Sequence, residues 1–252
     1  MRYLVFVFVL LTLNAKAQVP DSALHRDEKH AKFSSPKNPS SYIIPTVLIS
    51  YGFLSLGSNG IRNLDLSTQA ELSEDHPQFA STIDDYSKFI PIMAMYALDL
   101  TKLKAKHTVF DQTALMVISA IITDVTVTSL KRTTLRLRPS GSGYSSFPSG
   151  HTAVAFAAAE LLHQEFKEHS PWIGYAGYGI AGATGVSRMY NNKHWLSDVI
   201  AGAGFGLLST KISYVVYPYI KRILSKKEGL LRLAPTLIEN KPAFSLNYTF
   251  NK

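Results

Sequence analysis

Four cations fall within eight residues in the run Lys131-Arg132-Thr133-Thr134-Leu135-Arg136-Leu137-Arg138, closed by Pro139, and no acid stands between Val125 and Ala159. Such a run suits an anion, and taken alone it is as readily a solvated basic loop. A second cluster, Phe147-Pro148-Ser149-Gly150-His151, opens the Ala-rich stretch Thr152 to Leu162. Pro and Ser start helices in any case. A helix start also presents free backbone N–H groups at the positive end of its dipole, and these bind phosphate. Gly150 lets a ligand approach the backbone closely, which puts His151 at the edge of an anion site as a candidate general acid. The third cluster is Ser187-Arg188, a five-residue turn holding Asn191 and Asn192, then His194 and Asp198. Those last two lie four apart on one helix face. A carboxylate on one imidazole nitrogen fixes the tautomer and leaves the other nitrogen nucleophilic. An isolated pair of this kind is also found as a structural ion pair.

Spelled together, the clusters read K-x6-R-P, P-S-G-H and S-R-x5-H-x3-D. In that form they resemble the signature of the type 2 phosphatidic acid phosphatases (PAP2), whose superfamily also holds bacterial class A acid phosphatases and vanadate-dependent haloperoxidases. Eleven residues match in order and spacing, and the resemblance covers roughly residues 110–220. The spellings around Ser146 to His151 and Gly185 to Arg188 look closer to the lipid phosphatases than to the acid phosphatases. The resemblance implies an all-α, six-helix PAP2-type bundle. It also implies His194 as nucleophile forming a phosphohistidine, Asp198 orienting it, and His151 protonating the leaving alkoxide. Lys131, Arg138, Ser149, Gly150 and Arg188 would spread the charge on the phosphate, with no metal and no cofactor. Arg132 and Arg136 fall outside the matched positions and are expected at the periphery.

These residues need helices to carry them. Apolar segments at Ser41–Ile61, Phe89–Leu98, Phe110–Leu130 and about 151–166, 171–187 and 195–220 predict six helices, the later ones rich in the Ala and Gly that close packing requires. The charge-free stretch Ser41–Ile61 is the best single candidate for a membrane span. Residues 62–84 are acidic and amphipathic and read as surface helix. The tail alternates, with Phe244, Leu246, Tyr248 and Phe250 between polar neighbours, so residues 230–250 read as a β-hairpin. Met1-Arg2, the apolar run Tyr3 to Leu13 and Ala15-Lys16-Ala17 have the layout of a secretory signal peptide. The expected organisation is a signal peptide (1–17), a flexible leader (18–41), a helical phosphatase domain (42–225) and a hairpin tail (226–252). His25, His30, His76, His107, His163 and His169 sit in polar contexts and are expected to be solvated.

The absence of cysteine among 252 residues excludes a disulfide scaffold, a thiolate metal site and a Cys nucleophile. The 26 basic and 18 acidic residues give +8, and losing Arg2 and Lys16 with a signal peptide leaves +6. For an exported chain that charge fits a phosphorylated lipid or other phosphomonoester and an acidic membrane surface, not nucleic acid. The expected enzyme is a periplasmic-facing, membrane-associated phosphatase of phosphatidate-type lipids, undecaprenyl (pyro)phosphate or lipid A. The rivals are a soluble periplasmic acid phosphatase, a vanadate haloperoxidase and a non-enzymatic phosphate- or lipid-binding protein. Orientation is contested. Counting six spans from residue 42 buries the clusters in the cytoplasm, whereas Lys102, Lys104 and Lys106 and Lys221, Arg222, Lys226 and Lys227 place them outside by the positive-inside rule.

Overall fold

The computed structural model describes residues 39–248 apart from 58, 102, 104, 229, 230, 239 and 240, with side-chain detail as far as Ile223. The expected signal peptide and most of the expected leader lie outside the described residues. A 3-10 turn, Pro39–Tyr42, leads into α1 (Ile43–Leu54), followed by α2 (Gly60–Asp75), α3 (Ile83–Ser87), α4 (Ile90–Asp99), α5 (Val109–Thr134), α6 (Gly150–Phe166), α7 (Pro171–Tyr190) and α8 (Leu196–Glu228). The bundle is all-helical, and its described helices outnumber the expected six by α2, which falls in the stretch expected as surface helix, and by α3. Beyond it, the backbones of β1 (Leu231–Ile238) and β2 (Lys241–Tyr248) pair antiparallel, with Leu231 opposite Tyr248 and Ile238 opposite Lys241.

Helix starts follow local capping chemistry. Asn59 Oδ1 accepts from the Ile61 and Arg62 amides at the head of α2, at 3.0 and 3.2 Å. Thr108 Oγ1 accepts from Asp111 N at the head of α5, and Ser149 caps α6. Each such cap satisfies a backbone donor that a helix end otherwise leaves open. Helix α1 stops at Leu54 and turns before Asn59. Twelve residues rise only about 18 Å, short of a hydrocarbon core of about 30 Å, so the span expected over Ser41–Ile61 is corrected.

The Ala-rich α6 is the central helix, packed on by α3, α4, α5, α7 and α8. Ala153, Ala155 and Ala159 are fully buried along it. Helix α8 comes close enough that a Cβ on Gly202 would meet the Ser149 carbonyl oxygen at 2.6 Å, so only glycine fits there. The chain direction alternates through α5, α6, α7 and α8. The C-terminal ends of α5 and α7 therefore meet the N-terminal ends of α6 and α8, which brings all three sequence clusters to one end of the bundle.

Farther along, the interior is polar. Glu160 pairs with Lys211 at 2.6 Å, and Glu165 takes both the imidazole and the backbone amide of His107. His107 is thus buried, which corrects its expected solvation: the acid that receives it sits 58 residues away in sequence. The outer face of α5 is apolar and exposed at Phe110, Val117, Ile121 and Val125, as are Ile43, Ile44 and Val47 on α1. Helix α5 and Leu196–Ile223 of α8 are long and apolar enough to cross a bilayer.

Candidate active site

His194 follows a tight turn at the end of α7, where Asn192 takes a left-handed conformation (φ 53°) that Asn tolerates better than most residues. Its imidazole is buried, with Nδ1 at 2.8 Å from the Ser146 carbonyl oxygen. A carbonyl only accepts, so Nδ1 carries the proton and Nε2 keeps its lone pair. Burial pushes this imidazole down to about 4, outweighing the pull of Asp198 the other way, and Lys131 and Arg188 act with the burial. The ring is therefore neutral at pH 7. The Asp198 carboxylate stands 3.8 Å from Nδ1, an ion-pair distance too long for a hydrogen bond. Asp198 instead accepts from Arg136 Nη1 (2.7 Å), Ser146 Oγ (2.5 Å) and the Trp195 amide (2.9 Å).

Arg136 is the largest departure from expectation. Helix α5 ends at Thr134 and is capped by Leu135, left-handed at φ 45°, and the next residue turns inward. Arg136 is 6% exposed. Its Nη2 donates to Asp65 at 2.6 Å and its Nη1 to Asp198 and Ser197, while the guanidinium lies over the Trp195 ring. Asp65 also accepts from the Ser197 amide and hydroxyl, capping α8 from a helix expected to lie on the surface. Arg132 is exposed as expected.

The matched cations gather around Ser145. Lys131 Nζ donates to the Ser145 carbonyl and Arg138 Nη2 to its hydroxyl, the latter at 3.1 Å. Burial, with repulsion from the charge of Arg188 added to it, holds the Arg138 guanidinium below its usual range against the pull of Asp198. The Nε groups of Arg138 and Arg188 are buried and find no acceptor among the described residues. A buried donor left unpaired costs about 1–3 kcal/mol, so both fit an anion. The Ser149 hydroxyl is turned to the Thr152 hydroxyl and amide, and Ser149 N donates to the Asp198 carbonyl oxygen. With the Thr152 amide capped and that of Ala153 taken by the Ser149 carbonyl, the amides of Gly150 and His151 are the open donors of this helix start.

Sequence reasoning missed α3. Asp84 is fully buried and binds Arg188 and, at 3.1 Å, Asn191 Nδ2. Asp85 Oδ1 lies 2.7 Å from His151 Nε2. Burial lowers the His151 imidazole, and Arg188 and Lys88 add to this against the pull of Asp85. Lys88 is itself 5% exposed, and burial lowers its ammonium. The only hint in the sequence is two acids in the first turn of a short segment, which looks like any solvated helix start. Among the described residues, Asp84, Asp85 and His151 form the one group whose ligand atoms lie within 4.8 Å of one another, as a shared metal ion would need. Arg188 and Asn191 both bond Asp84, and Lys88 stands near Asp85.

The family model described as the PAP2 superfamily matches residues 112–222. A lipid A 1-phosphatase of Porphyromonas gingivalis is 36% identical over 167 residues, covering 61% of this chain and 36% of that protein. A bacitracin transport permease protein, BcrC of Bacillus licheniformis, is 32% identical over 96 residues, covering 36% of this chain and 45% of that protein. The chain thus spans less than half the length of either relative. Among solved structures, Aquifex aeolicus LpxE aligns with a TM-score of 0.44 at 22% identity, over 57% of this chain and 92% of that one.

Proposed function

Because residues 112–222 belong to the PAP2 superfamily, we propose that the chain is a metal-independent phosphatase of envelope lipids, working through a phosphohistidine. The observation that carries this reading is the state of His194: a neutral, buried imidazole whose Nδ1–H is held by a carbonyl, leaving the Nε2 lone pair near Lys131 and Arg188. In the proposed reaction Nε2 attacks phosphorus. Lys131, Arg138 and Arg188, with the Gly150 and His151 amides, take the charge on the equatorial oxygens. The bond from phosphorus to the leaving oxygen breaks, and His151 gives that oxygen its proton, because an alkoxide leaves poorly. Water then attacks the phosphohistidine, His151 takes the proton back, and phosphate is released. Ser149 serves this chemistry by capping α6, and Asp198 by stabilising the charged imidazole across 3.8 Å.

The lipid substrate is supported by the lipid A 1-phosphatase relative and by the exposed apolar faces of α1 and α5, which suit a bilayer. We read residues 42–225 as the phosphatase domain, with α5 and α8 crossing the membrane. Lys106 before α5, whose amide donates to the Glu165 carbonyl near the far end of α6, and Lys221 and Arg222 near the end of α8 lie at the end of the bundle opposite the site, so the positive-inside rule favours an exported, periplasmic-facing site.

The test is phosphate release by the full chain in detergent from a lipid A-type disaccharide phosphate, phosphatidate and undecaprenyl pyrophosphate, beside a soluble aryl phosphate. Faster release from one lipid than from the soluble ester supports the reading. Acid-labile radiolabel should be trapped on the wild type and be absent from His194→Ala. Equal labelling of the two proteins refutes the mechanism.

A further inference from the structure

We propose that Asp85 is the positioning residue of His151, holding it at Nε2 so that Nδ1 handles the proton of the leaving group. The inference rests on the phosphatase reading above. His151 Nε2 lies 2.7 Å from Asp85 Oδ1, and Nδ1 has no partner among the described residues. A carboxylate on one imidazole nitrogen fixes which nitrogen carries the exchangeable proton and favours the charged ring. His151 needs that support. Burial, Arg188 from α7 and Lys88 beyond α3 all act against its proton, and Asp85 acts for it. Lys131 of α5 and Asp198 of α8 reach the same end of the bundle from the other helices packed on α6.

The position of the carboxylate argues the same way. Asp85 is a negative charge set beside a site that gathers anions, so it weakens phosphate binding unless it serves the chemistry. Its helix is held by other contacts. Asp84 binds Arg188 and Asn191, Asn191 takes both the amide and the carbonyl of Ser81, and Ser87 meets Thr184 at 2.8 Å. Asp85 is thus half-exposed on a helix whose place does not depend on it, and its imidazole bond is the contact its side chain adds.

The leaving group gives a readout that a structural role would not move. A general acid matters for an alkyl oxygen and little for a 4-nitrophenolate, which leaves as an anion. Removing the orienting partner should cost part of the 10²–10⁴-fold that general acids supply, about tenfold. The experiment compares wild type, Asp85→Asn and Asp85→Glu by kcat/KM on phosphatidate and on 4-nitrophenyl phosphate. Asp85→Asn should lose about tenfold on phosphatidate and less than about twofold on the aryl ester, and Asp85→Glu should restore part of the loss. The basic limb of the phosphatidate pH profile should also move to lower pH, since His151 gives up its proton more readily without the carboxylate. An equal loss on both esters, or a gain on either, overturns the proposal; a gain would make Asp85 a competitor of substrate. If the wild type releases phosphate from neither ester, or His194→Ala works as well as it, the parent reading falls and takes this one with it.

Discussion

His194 Nδ1 lies 2.8 Å from the backbone carbonyl of Ser146, while the Asp198 carboxylate stands off at 3.8 Å. The tautomer of the candidate nucleophile is therefore set by main chain, from the loop just ahead of the α6 cap at Ser149. Asp198 turns to Arg136, to the Ser146 hydroxyl and to the head of α8, and reaches the imidazole as a nearby charge.

That division predicts unequal losses. His194→Ala should abolish turnover. Asp198→Asn should keep the tautomer and lose only electrostatic support for the charged ring, a fall in kcat of about 10²-fold. Single-turnover rates of the two variants on the preferred substrate check this. An Asp198→Asn enzyme as inactive as the His194→Ala enzyme would restore the carboxylate to direct control.

Arg136 should matter for folding before it matters for rate. It pairs with both Asp65 and Asp198, and all three side chains are buried. Arg136→Met leaves two buried carboxylates without their cation, and breaking a buried pair costs about 3–5 kcal/mol. Arg132→Ala, at an exposed position in the same basic run, should stay within about 0.5 kcal/mol. Thermal unfolding in one detergent compares the two, and a tolerant Arg136 would place the network's stability elsewhere.

The contrast between these two arginines shows where the sequence was legible. The spacings of Lys131, Arg138, Gly150, Arg188 and His194 mark positions on helix ends, and an alternating bundle gathers helix ends, so local pattern and topology agree. Arg136, Asp65, Asp84 and Asp85 are joined by contacts 62 to 104 residues apart. Each alone is a charged residue with no apolar stripe around it, and a buried pair has the composition of an exposed one. His107 was misplaced for the same reason, since Glu165 receives it from another helix. The charge-free run Ser41–Ile61 registers hydropathy and not the end of α1 at Leu54, which Ser55 caps.

Chelation should leave the rate unchanged. The cations at the site are side chains, and the one cluster with metal-like spacing among the described residues has its Asp84 tied to Arg188 and Asn191. Activity after dialysis against EDTA should match the untreated enzyme; a loss restored by a divalent ion would mean that an ion neutralises the phosphate instead.

Acid should destabilise the fold through His194 in a defined window. Burial holds this imidazole at about 4, whereas an unfolded histidine titrates near about 6.5. As pH falls through that value the unfolded chain takes the proton first. The stabilising contribution is therefore complete above about 6.5, shrinks down to about 4 and is then exhausted. The gap is worth on the order of 3 kcal/mol. Asp85 has the opposite origin: His151 lowers its carboxyl, so its contribution persists down through the ordinary aspartate range near 3.8 and is lost only below it. The two windows do not overlap. Unfolding midpoints between about pH 7 and pH 4 should fall steeply for the wild type and less for His194→Gln, which has no imidazole to charge. Parallel curves for the two proteins would mean that His194 is not held neutral by the fold.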